Sequence, residues 1–199
     1  MNTSRGGVRR VVARALGLIT HPQREWAAIA AEGEGALAIL LRYVVPLAAI
    51  PAIAWEIGVA VFGLDAFQGG PTGAAGVRSP IVGAATTFLG SILCVVCLAV
   101  ALYLTARVHD ARRSWSGAWA TAAYGATPVW LAGVLLVQPV LILAVLVATL
   151  HACYLWFVGV QAVLGVRPSA AAECVAIALV IGTVLTMLAG GLLGAAGML

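Results

Sequence analysis

The fold class this sequence predicts is an all-α polytopic membrane protein: five transmembrane helices preceded by a short amphipathic cytoplasmic helical leader. Three observations carry it. Of 199 residues, 63% are hydrophobic and 9% charged, against roughly 25% charged in an ordinary soluble domain. There is too little polar side chain to give the folded chain a wettable surface, and its mean hydropathy is +1.08. Five stretches are apolar over the length, about 20 residues, that crosses a hydrocarbon core. The eleven basic residues are all arginine and gather in a few short segments. That distribution sets membrane topology and does not line a nucleic-acid groove, so no nucleic-acid partner is expected.

Residues 1–39 form the leader. In RGGVRRVVARALGLI, the residues Val8, Val11, Val12, Ala15, Leu16 and Ile19 share one side of a helix, with Arg10 and Arg14 pointing away. Such a helix lies in the headgroup plane, its arginines near anionic lipids; Arg9, Arg10, Arg14 and Trp26 are the expected membrane-surface residues. Between Arg9-Arg10 and Arg14 stand only three apolar residues, too few for the apolar core of a cleavable signal. The first span is therefore expected to target the chain. Thr20-His21-Pro22-Gln23 matches a capping box, opening a second short helix that presents Trp26, Ile29 and Ala30 on one face.

The membrane domain, 40–199, is read as spans at about 40–62, 81–105, 118–137, 139–164 and 172–195, by the ~20-residue requirement. A Gly- and Pro-containing loop, GLDAFQGGPTGAAGVRSP, separates the first two, and the arginine-rich ARVHDARRSWSG follows the second. Gln138-Pro139 makes a minimal turn, so the third and fourth spans form a hairpin, and GVRPSAAAE leads into the fifth. Arg5, Arg9, Arg10, Arg14, Arg24 and Arg42 precede or open the first span; Arg107, Arg112, Arg113 and Arg167 occupy the second and fourth loops, against Arg78 alone on the other side. Arginine-bearing loops stay in the cytoplasm. The expectation is a multi-pass protein of the plasma (inner) membrane, with a cytoplasmic N-terminus and an extracytoplasmic C-terminus.

Few residues in the spans can carry chemistry. Pro128, in YGATPVWL, removes one helix hydrogen bond and crowds the preceding turn. The carbonyl it displaces is that of Tyr124, towards which Thr127 can bend. Pro46 and Pro51 do the same in the first span, and all three are candidate hinges. Glu56 is the one carboxylate well inside a span, about 9 Å below its outer end at ~1.5 Å per residue, and an intramembrane carboxylate is a site hypothesis by default. Thr87 and Ser91 pass at similar depth and are its expected hydrogen-bond partners. His151 falls near the midplane with Tyr154 one turn on, and is expected to form an interhelical hydrogen bond or a relay with Glu56. No metal or other cofactor is expected. Cys94-Val-Val-Cys97 lies deep in an apolar helix, without the electropositive setting that makes a reactive thiolate. Gly190 and Gly194 form a small-xxx-small face on which another helix can approach closely, inside the chain or in a neighbour.

Several pieces, in order, carry a resemblance: HPQREWAAI before the first span, RYVVPLAAIPAIAWEIG within it, the hairpin YGATPVWLAGVLLVQP, and HACYLWFVGVQAVLGVRPSAAA leading into the last span. Together these resemble the Yip domain family of Rab/Ypt-interacting multispanning membrane proteins, in a prokaryotic-type member. The resemblance implies an N-in five-helix domain and, for eukaryotic relatives, a role in vesicle traffic through small GTPases. This sequence shows no long acidic or Pro-rich tail like theirs. The function expected is that of a non-enzymatic, oligomerising scaffold or adaptor in the lipid bilayer, partnered by other membrane proteins or by further copies of itself. The alternative is a small proton- or ion-coupled transporter or channel using Glu56 and His151.

Overall fold

The computed structural model describes residues 3–63, 79–109, 111–112 and 114–195; most of the loop after the first span, with Arg78, as well as Arg113 and the last four residues, lie outside the described residues. Every described element is a helix or a turn. Helix α1 (Thr3–Thr20) and helix α2 (Pro22–Glu32) precede the spans. The break between them is set by Pro22, whose missing N–H costs nothing in the first turn of a helix. The expected capping box does not form: the Thr20 hydroxyl donates to the Leu16 carbonyl of its own helix at 2.8 Å and pairs with His21 Nδ1. His21, not Thr20, stands at the N-cap position. Gly33 closes α2 at φ 56°, its N–H reaching the Ile29 carbonyl, a left-handed end that glycine adopts without penalty.

Five helices are long and apolar enough to cross a membrane: Ala36–Phe62, Pro80–Val108, Trp115–Val137, Pro139–Leu164 and Pro168–Leu193. The starts that precede the sequence-based limits have local causes. Pro80 and Pro168 each open a first turn, and Ser114 Oγ accepts the Gly117 N–H at 3.0 Å, an N-cap bond. Within the first span, Leu40–Val44 is a π-helical turn. Pro46 follows it by two residues and has no N–H to offer the Arg42 carbonyl, and the widened turn absorbs that missing bond.

The third span is the axis of the bundle, buried without interruption from Gly117 to Pro128. The first, second and fourth spans pack around it, the fifth lies along the second, and α2 lies on the fourth. Glycines mark the crossings. A Cβ on Gly133 would lie 2.6 Å from Pro51 Cβ, one on Gly182 would lie 3.2 Å from Leu98 Cα, and one on Gly125 would overlap the Trp156 indole. Small residues let backbones approach where lipid supplies no hydrophobic drive between helices. The fourth and fifth spans leave long apolar rows exposed, among them Leu143, Leu146, Val147 and Leu150 in one and Val180, Val184, Met187 and Leu188 in the other. In a bilayer these rows meet acyl chains.

Candidate functional site

The polar groups that converge lie where the leader meets the spans. Gly17 leaves room on α1 for the Glu25 side chain to cross it, and Glu25 Oε2 meets Arg14 Nη1 at 3.2 Å. Arg14 Nη2 bonds both Glu32 carboxylate oxygens at 2.6 Å. The guanidinium also lies over the Tyr124 ring, 5.9 Å from its centroid, a cation–π placement. Burial works against the charge on Arg14, yet the Glu32 hydrogen bond and the fields of Glu32, Tyr124 and Glu25 outweigh it and hold the pKa above the ordinary arginine value. These charge-assisted bonds lock α1 to α2, and the Arg14 guanidinium over Tyr124 joins the pair to the third span.

Beneath this clamp the polar chain continues into the spans. Tyr124 donates its hydroxyl to Glu34 Oε2 at 3.0 Å, and Glu34 Oε1 faces Arg42 at 3.7 Å. Tyr43 meets Tyr124 edge to face at 4.6 Å and bonds Thr127 Oγ1 at 2.7 Å. Thr127 Oγ1 in turn donates to the Tyr124 carbonyl at 2.5 Å, the group released where the third span breaks ahead of Pro128. So the proline break is satisfied from within, by the threonine beside it. Trp26 completes the floor. It is fully buried, its ring seated on Gly159, where a Cβ would come within 2.8 Å, and edge-on to Tyr124.

Between α1 and the first span opens a cavity of about 1070 Å³, lined by Gly7, Val8, Arg10, Val11, Arg14, Glu32, Glu34, Arg42, Tyr43, Pro46 and Tyr124. A smaller one, about 160 Å³, lies on the other side of the Glu32–Glu34 segment, against Arg112, Ser114 and Ser116.

Several sequence expectations need correction. Arg14 does not point away from the protein: its side chain is 13% exposed and engaged by acids. The face of α1 on the bundle is Val11, Arg14, Ala15 and Leu18, while Val8, Val12, Leu16 and Ile19 are exposed. Hydrophobic periodicity alone could not tell these faces apart, because acids from α2 give Arg14 a reason to face inward. Trp26 is not a surface anchor either; Arg9 and Arg10 are exposed, as is Ala30, whereas Ile29 is buried with Trp26.

Glu56 does not bond Thr87 or Ser91. Its carboxylate presses on Gly83 of the second span, one turn nearer the start of that span than expected, and Ser91 Oγ bonds the Thr87 carbonyl instead. His151 does not meet Glu56: its ring lies 6.0 Å from that of Tyr154, which is itself exposed, and its buried Nε2 has no hydrogen-bond partner among the described residues. Pro51 is buried against Gly133. Cys94 and Cys97 are free thiols. Gly190 has nothing among the described residues within 4 Å of where a Cβ would stand, and a close approach of this span to another occurs at Gly182, against Leu98; Gly194 belongs to the same helix.

Reading the sequence alone missed Glu25, Glu32, Glu34, Tyr43 and Arg42 as members of one cluster. The signal present was the acid spacing around Gly33 and the pairing of Arg42-Tyr43 with Pro46; what united them was tertiary.

An all-helical, five-span membrane domain whose N-terminal helices fold back into the bundle is the class of protein these observations define. The family model for the Yip1 domain matches residues 16–190, and the chain belongs to that family. No curated protein and no solved structure matches it.

Proposed function

We propose that this protein is a non-enzymatic adaptor or scaffold of the plasma (inner) membrane, its leader and arginine-bearing loops in the cytoplasm and its C-terminus outside. One observation carries the reading: the leader is a built part of the membrane domain, joined to the spans by Arg14 and Glu34 at Tyr124 and by Trp26 on Gly159, so that a polar, partner-accessible surface is held over the spans. The exposed rows of the fourth and fifth spans, with the open side of Gly190, supply area for other membrane proteins or a second copy of the chain. Arginine bias supports the orientation.

The test is affinity capture of the full chain in mild detergent, compared with a chain lacking residues 1–39. Specific co-purifying membrane proteins or a homo-oligomer, with loss of partners on truncation, is the expected result. Recovery of the monomer alone, together with an unchanged phenotype on truncation, defeats the adaptor reading. Transport through Glu56 and His151 is tested separately in proteoliposomes: flux above that of empty liposomes that Glu56→Gln or His151→Ala abolishes would replace adaptor with transporter.

A further inference from the structure

We propose that the cavity between α1 and the first span is a phospholipid site, taking the phosphodiester of an ethanolamine headgroup between Arg10 and Arg42 and its ammonium at Glu34. The lining divides by function. Arg14 and Glu32 satisfy each other through the fork described above. Arg10 makes no ion pair among the described residues, and Arg42 is 71% exposed with its acid at 3.7 Å. Two guanidinia are therefore available to an incoming anion, and arginine matches phosphate oxygens with paired N–H donors. Both arginines are on the cavity wall together with Glu34 and the Tyr43 and Tyr124 side chains. The Glu34 carboxylate is an unfavourable neighbour for a second negative charge and a favourable one for an ammonium. The wall thus suits a zwitterion better than a polyanion.

The apolar part of the lining identifies the ligand as a lipid and not a soluble phosphoester. Val8, Val11 and Pro46 face the same cavity. Beyond Pro46 the first span continues as an exposed apolar row, Ile53, Ile57 and Val61, spaced to share a helix face. An acyl chain leaving the cavity at Pro46 follows that row into the hydrocarbon region. A volume of about 1070 Å³ lies just above the range, roughly 300–1,000 Å³, typical of sites for drug-sized ligands, enough for a headgroup, glycerol and the first methylenes. The π-turn contributes directly, because Arg42 and Tyr43 both belong to it, and such turns recur at functional sites.

Full-length, delipidated protein in detergent is titrated with dioleoyl phosphatidylethanolamine, dioleoyl phosphatidylglycerol and soluble glycerophosphoethanolamine, and bound lipid is counted by native mass spectrometry. Phosphatidylethanolamine should bind most tightly. The double variant R10Q/R42Q should weaken both lipids about tenfold or more through loss of charge-assisted phosphate bonds. Glu34→Gln, which keeps an acceptor for Tyr124, should weaken phosphatidylethanolamine and leave phosphatidylglycerol unchanged. Unaltered phosphatidylethanolamine binding by R10Q/R42Q overturns the site. Phosphatidylglycerol binding as tightly as phosphatidylethanolamine overturns the ethanolamine assignment, and glycerophosphoethanolamine matching the intact lipid overturns the lipid assignment.

Discussion

The two ends of the bundle are built differently. At the end that carries the N-terminus, side-chain bonds between different elements hold the structure: Arg14 to Glu32 within the leader, Tyr124 to Glu34, Tyr43 to Thr127, and the Trp156 indole to the Ala122 carbonyl at 3.3 Å. At the other end close contacts between spans are made over small residues, Gly133 on Pro51 and Gly83 under the Glu56 carboxylate. Thr86, Thr149 and Thr186, towards that end, each return their hydroxyl to a carbonyl one turn back in their own helix. A polar group within a span stabilises a tertiary contact only where another element brings a partner. At the end near the leader such partners are present, Glu34 from the leader and Thr127 and the Ala122 carbonyl from a neighbouring span.

The contrast can be broken most severely at Trp26. Trp26→Ala empties a fully buried indole site, and by analogy with large-to-small core changes the loss should be about 3–5 kcal/mol. Hydrogen exchange of α1 and α2 should rise to the level of an undocked segment while the halves of the spans far from the leader keep their protection. Protection falling equally at both ends would show that the leader is no separate layer. Replacement of Gly159 by Leu approaches the same seat from the other side and should release α2 similarly.

Arg14→Gln comes next. It removes the fork and leaves two acids without their cation, for which about 1.5–3 kcal/mol is the scale of a charged hydrogen bond. Limited proteolysis near His21 should accelerate. The pH dependence follows from the direction of the Arg14 shift. A cation whose pKa is raised by folding contributes its full stabilisation below the ordinary arginine value, and loses it only as pH climbs through the raised one. Cleavage at His21 should therefore not respond to Arg14 titration between about pH 7 and 10; an Arg14-dependent release in that window would mean that the fork is not what holds α1.

Thr127→Val is expected to be milder, about 1–2 kcal/mol, from two hydroxyl bonds lost at nearly constant shape. Its signature is a lowered thermal midpoint with the leader still docked. Smallest of all should be Gly190→Leu, where open space means a stability change within about 0.5 kcal/mol. If the fifth span is an association face, the same variant should nonetheless dissociate an oligomer in gel filtration.

Much of this architecture was legible beforehand, and the reason is lipid. In an acyl environment a span must satisfy its backbone internally, as a helix does, and a helix needs about 20 apolar residues to cross, so five spans could be read from composition and length. The hairpin at Gln138-Pro139 and the Thr127 repair beside Pro128 were legible too, since each depends on residues adjacent in sequence. The Glu56 pairing was not, because depth along a helix says nothing about which neighbour faces the residue. Nor was the leader's orientation. Its apolar stripe and its arginines fix an amphipathic helix, but either face can meet the bundle.

The sequence by itself determined the solvent, the number of crossings and the local chemistry of each break, all of which follow from short-range periodicity and from the hydrogen-bonding demands of a backbone in hydrocarbon. Only tertiary structure decided that Arg14 turns inward, that Trp26 sits beneath it, and that a groove opens between α1 and the first span. Those outcomes depend on Glu32, Gly159 and Tyr124, which arrive from 18 to more than a hundred positions away along the chain, and no pattern confined to one helix records what another helix will place against it.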